Sequence, residues 1–193
     1  QAEAGRRVRD VTGVQTCALP ISQARAAAGT PTSSASGFAP GVSTARQEDA
    51  ERQYQRAVEF EKGTGRVQDI DEAVKWYRKA AAQGHRGAIY SLATMYLNGR
   101  GVRQNNGEAV IYLRQAAELK HAEAHYNLGF MQENGRGTAK DPGRGLTSYI
   151  IASSLGVGEI ANNARASVAA RLSPAQVSEA EYRARVWMDE HRR

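Results

Sequence analysis

The feature that most constrains this chain is internal repetition. Windows 52–87, 88–123 and 124–159 align without an insertion, a period of 36 residues. The first two windows are identical at 12 of 36 positions, among them Tyr54/Tyr90, Ala57/Ala93, Gly63/Gly99, Gly65/Gly101, Ala73/Ala109 and Ala80/Ala116. The second and third windows share 12 again, where unrelated sequences of average composition share roughly two. A unit repeated at this period buries its apolar face only against its neighbours, so a stack of such units is required.

Each window divides into two helical pieces. Residues 88–98 carry Ala88, Leu92, Met95 and Tyr96 at helical spacing, which makes one face apolar. Gly99 and Gly101 end that helix, because glycine takes a positive φ without a steric penalty. The second helix opens on a capping oxygen in every window: Asp69 with Glu72, Asn105 with Glu108, and Asp141 ahead of Pro142. Trp76, Tyr77, Ala80 and Ala81, and one repeat later Tyr112, Leu113, Ala116 and Ala117, supply its packing face. Small residues there let neighbouring helices approach closely. The expected fold class is all-α, an α-solenoid of antiparallel helix pairs built from about three 36-residue repeats with C-terminal capping helices.

The segments AIYSLATMYLNGRGVRQNNGEAVIYLRQAAELKH at 88–121, AHYNLGFMQENGRGTAKD at 124–141 and EAVKWYRKAAAQGH at 72–85 resemble the Sel-one-like repeat (SLR) family, relatives of the tetratricopeptide repeat. In tetratricopeptide relatives the first helices line a concave groove. The resemblance therefore implies that Tyr54, Tyr90 and Tyr126, with Val58, Thr94 and Phe130 one turn on and Lys62, Asn98 and Asn134 a turn further, face a peptide or protein partner. Such a stripe offers aromatic faces, apolar contact and amide hydrogen bonds. Packing of the same tyrosines between repeats is the competing reading. The array departs from the pattern at its edges: Arg52 and Arg56 stand where Ala88 and Leu92 stand one repeat later, giving the first helix a wetter face suited to an end.

Outside the repeats the chain changes character. Residues 11–22, VTGVQTCALPIS, resemble the translation of a sequencing-library adapter, so residues 1–22 are expected to be foreign to the native chain, and the only cysteine, Cys17, with them. Residues 23–47 read as a linker, since 19 of the 24 residues from 23 to 46 are Ala, Gly, Ser, Thr or Pro and bury too little apolar surface to repay ordering. Residues 48–159 are the expected repeat array and 160–193 its helical cap. In the cap, Ala161, Ala164, Val168 and Leu172 recur at helical spacing. A second start signal, Ser173, Pro174 and Gln176, opens a helix with Val177, Ala180, Ala184 and Trp187 on one side.

Several function classes lose support from composition. The net charge is +6, but residues 1–46 hold five Arg against two acids, so the remainder has a faint positive bias and no nucleic-acid partner is expected. No run of 18 apolar residues occurs, so no membrane-spanning helix is expected. The glycine pairs follow helices and lack the Lys-Ser/Thr of a phosphate loop. His121 and His125 have a spacing two metal ligands could use, without a third ligand nearby; no metal, cofactor or catalytic residue is expected. The sequence favours a monomeric, non-enzymatic scaffold for a peptide or protein. The alternative is a cell-envelope, peptidoglycan-associated or enzyme-associated regulatory module.

Overall fold

The computed structural model describes residues 41–192. The expectations for 1–22 and for most of 23–47 fall outside the described residues. The described residues form eight helices and no strand: α1 (Gly41–Lys62), α2 (Ile70–Ala82), α3 (Arg86–Asn98), α4 (Asn106–Glu118), α5 (Ala122–Asn134), α6 (Pro142–Ser154), α7 (Glu159–Ala169) and α8 (Pro174–Glu190). Each helix from α1 to α5 packs on the next, and α6 carries both α7 and α8, as a solenoid requires. α1 starts at Gly41, so its first turns run through the end of the stretch read as a linker. Once later turns are nucleated by packing, each added residue needs only one further hydrogen bond to extend the helix.

The caps act where the sequence places them. Asp69 accepts from Glu72 N, Asn105 from Gly107 N and Glu108 N, and Asp141 from Arg144 N. Ser173 and Gln176 close a reciprocal capping box at the head of α8. Gly99 and Gly135 end α3 and α5 in the left-handed region, at φ 66° and 69°. The second glycine of each pair has another task. A Cβ on Gly101 would meet Ile70 Cγ2 at 2.6 Å, and one on Gly137 would meet the backbone oxygen of Asn106 at 2.2 Å. Each turn thus rides on the start of the second helix of the preceding repeat.

Small residues stand at equivalent positions on both helices of each repeat, Ala57 and Ala73, Ala93 and Ala109, and Gly129 and Gly145, and the helices of the third repeat cross on the last pair. The four alanines have no exposed surface, and the two glycines are also buried. At the third crossing a Cβ on Gly129 would stand 2.9 Å from the Tyr149 ring and 3.1 Å from the Gly145 oxygen. Larger residues fill the spaces between crossings. Tyr77, Leu92 and Met95 anchor one core; Val110, Leu113, Leu128 and Met131 anchor the next.

Leu146, Tyr149, Val168 and Ala180 form a third core that joins α6 to α7 and α8. The end of α8 reaches back further. Trp187 meets His125 of α5 edge-on at 4.6 Å and stacks on His191 at 4.1 Å, and His191 Nε2 lies 3.4 Å from Glu118 Oε2 at the end of α4. Val168 and Leu172 pack as their spacing predicts, and Trp187 docks on the third repeat.

Candidate functional site

The candidate residues of the first helices stand on successive turns of α1, α3 and α5. Its tyrosines are set between repeats. Tyr54 stacks on His85 with ring centroids 4.4 Å apart, and Tyr90 stacks on His121 at 4.3 Å. His85 also caps α3, because its Nδ1 accepts from Ala88 N at 3.1 Å, which leaves Nε2–H to donate to Glu51 at 2.8 Å. His121 occupies the same place before α5 without making the cap bond, and burial lowers its pKa. The recurring histidines are therefore ring partners of the tyrosine ladder.

Tyr126 departs from the pattern. Val157 stands where a histidine stood, and the Tyr126 ring keeps the tilted contact with Tyr149 at 5.5 Å, the counterpart of Tyr54 on Tyr77 at 5.7 Å, in the core beneath α7 and α8. Tyr90 accepts a hydrogen bond from Asn127 Nδ2 at 3.0 Å, and its burial raises the phenol pKa. All three tyrosines are half-buried, and Tyr54 and Tyr90 each pack against a core cluster.

The other candidates lie nearer to solvent. Thr94 is half-buried and donates to Ser91 O. Val58 packs against the first core, and Lys62 is exposed. Asn134 is exposed at the end of α5 and donates to Phe130 O at 2.9 Å. Phe130 is 41% exposed.

Phe130 and Asn98 are brought together in one cleft of about 340 Å³ between α3 and α5, which Leu97, Asn127, Met131 and Arg136 also line. The Arg136 guanidinium lies over the Phe130 ring, 5.7 Å from its centroid. The sequence reading found Asn98 and Phe130 and missed Arg136 and Asn127. Asn127 follows Tyr126 directly, and its contact with Tyr90 crosses from one repeat to the next, a distance of 37 residues in sequence.

A half-buried carboxylate stands at the equivalent position in the first and third repeats. Tyr77 donates to Glu61 at 2.6 Å and Arg100 pairs with the other oxygen at 3.0 Å. Tyr149 donates to Glu133 at 2.9 Å while Arg171 holds its second oxygen. Burial, reinforced by these carboxylates, raises both phenols far above their ordinary pKa. Such a satisfied tripartite contact ties helices together. Among the described residues, no group of three His, Cys, Asp or Glu side chains could hold a metal ion, and no helix is long and apolar enough to cross a membrane.

The architecture defines a helical-repeat solenoid, each repeat one antiparallel helix pair. The sequence profile of the Sel1 repeat matches three times, at residues 51–85, 87–121 and 122–157, and the chain belongs to that family. A Sel1 repeat protein of Oxalobacter formigenes is 30% identical and superposes with a TM-score of 0.59, over 65% of this chain and 96% of its own. Two further structures share the fold at lower identity. The protective antigen c5321 of uropathogenic Escherichia coli, which displays an SLR fold, is 23% identical with a TM-score of 0.61, over 76% of this chain and 39% of that one. Helicobacter pylori cysteine rich protein B is 18% identical with a TM-score of 0.51, over 64% of this chain and 97% of that one. No curated protein sequence matches significantly. Sel1 repeat proteins are in general protein-interaction scaffolds and are typically non-catalytic.

Proposed function

We propose that this chain is a non-enzymatic scaffold that holds a peptide or an extended protein segment along the stripe of α1, α3 and α5. The carrying observation is the cleft at Phe130: an accessible aromatic ring beside Asn98, Asn127 and Arg136, on rigid helices whose positions the core fixes. An aromatic anchor with a few amide and guanidinium groups suits a peptide backbone and its side chains. In this reading the half-buried tyrosines set the spacing of the stripe, and Phe130, Asn98 and Asn134 touch the partner. Residues 48–159 are then the binding array and 160–193 its cap.

Selection of 12-residue peptides from a displayed random library against the full chain tests this. Selected peptides are expected to lose binding to Phe130→Ala and Asn98→Ala, and to keep it with Lys75→Ala and Arg114→Ala on the exposed faces of α2 and α4. Peptides that depend on Lys75 or Arg114 and ignore Phe130 would place the binding surface on the second helices and overturn the reading.

A further inference from the structure

We infer that the cleft between α3 and α5 receives an acidic side chain of the bound peptide, with Arg136 taking its carboxylate. The inference rests on the stripe being the binding face, and adds the chemistry of one subsite.

It follows from a break in the repeat. Glu61 and Glu133 occupy equivalent positions two repeats apart, and each is held by a tyrosine and an arginine: Tyr77 and Arg100 for the first, Tyr149 and Arg171 for the second. At the middle position the carboxylate is replaced by Leu97 and the tyrosine by Leu113. Arg136 stands one repeat after Arg100, and it lines one cleft with Leu97, the residue that replaces the glutamate. Among the described residues it forms no ion pair, and its guanidinium rests on the exposed Phe130 ring at the edge of the cleft. The middle repeat lacks the acid, and the arginine of the following repeat stands beside a cleft.

The cleft supplies what a visiting glutamate needs. Leu97, Phe130 and Met131 line it with apolar surface for the methylene stem, and the Asn98 amide is available beside Arg136 as a second donor. Arg136 is exposed at the rim of the cleft, where its planar guanidinium can meet a carboxylate through charge-assisted hydrogen bonds. A side chain fits better than a chain terminus. The cleft lies in the middle of the array, where a segment lying along the stripe passes through, and the neighbouring repeats fill the corresponding position with glutamate side chains of their own.

The test is a nuclear magnetic resonance titration of the full chain, following the Arg136 Nε–H and Asn98 side-chain signals. Three probes are compared: acetyl-glutamate N-methylamide, acetyl-glutamine N-methylamide, and acetyl-glutamine with a free terminal carboxylate. The blocked glutamate is expected to bind at least about tenfold more tightly than the blocked glutamine. Leu97→Glu, which returns the carboxylate found in the flanking repeats, should fold back on Arg136 and weaken the glutamate probe at least about tenfold, while Leu97→Gln stays within about twofold. Should Leu97→Glu fail to fold, Arg136→Gln at an exposed position gives the same reading. Equal affinity for blocked glutamate and glutamine overturns the inference and leaves the stripe intact as a binding face. Preference for the free terminus overturns the side-chain assignment. Silence with every probe also overturns the subsite, and the dependence of selected peptides on Phe130 then decides separately whether the stripe binds at all.

Discussion

Gly65, Gly101 and Gly137 occupy one repeat position and take nearly the same backbone, at φ 75°, 64° and 71°. Substituting alanine at each in turn separates backbone strain from packing. The positive φ alone costs about 1–2 kcal/mol, partly offset by the lower entropy of the unfolded alanine chain, about 0.4–1 kcal/mol. A Cβ on Gly65 meets nothing within 4 Å among the described residues, so Gly65→Ala should lose about 1 kcal/mol. A Cβ on Gly101 would sit 2.6 Å from Ile70 Cγ2, a methyl that can move, and Gly101→Ala should lose about 2 kcal/mol. A Cβ on Gly137 would sit 2.2 Å from a backbone oxygen and 2.4 Å from a backbone carbon of Asn106. Relief there means lifting the turn off the start of α4, so Gly137→Ala should lose about 3–4 kcal/mol. Urea unfolding followed by helical circular dichroism measures the series, fitted with a nearest-neighbour repeat scheme. Equal losses at Gly65 and Gly137 would refute the view that these turns set the register between repeats, and would leave φ as the only cause.

Three further outcomes are expected. Tyr90→Ala should cost about 4 kcal/mol, since it removes core packing, the stack on His121 and the acceptor for Asn127; Phe130→Ala, whose ring belongs to none of the three cores, should cost about 1.5 kcal/mol. The reverse order in the same denaturation assay would move Phe130 into the core and Tyr90 to the binding face. Burial holds the His125 pKa down to about 4, so the ring stays neutral in the fold and its contribution to stability is present above the ordinary value of 6.5 and lost as pH falls from there towards 4. Acidification from pH 7 to 5 should therefore destabilise the native chain more than His125→Ile, which carries the residue of the preceding repeat, by at most about 2 kcal/mol; parallel pH curves would show that the ring is not the cause. Truncation before Ser173 removes α8, uncovering His125 and the core at Leu146 and Val168. It should lower the melting temperature and weaken hydrogen-exchange protection in α5 and α6 ahead of α2 and α3; an unchanged melt would mean that α8 caps nothing.

The sequence by itself determined what depends on residues a few positions apart. Caps at Asp69, Asn105 and Asp141, terminators at Gly99 and Gly135, and the apolar faces of α3 and α4 act within one or two turns, so helix boundaries and the stacked-pair fold were legible. Tertiary structure decided what depends on where two distant helices meet. It turned His85 and His121 into ring partners of the tyrosine ladder, carried Trp187 back onto His125, and gave equivalent glycines different neighbours. It also gave Arg136 a meaning the sequence alone withheld. A periodic pattern shows that Leu97 replaces a glutamate, but only the positions of α3 and of the turn after α5 bring Leu97 and Arg136 to one cleft. Contacts of that kind are made across roughly a repeat length of chain, and their geometry is fixed by the packing of every helix between.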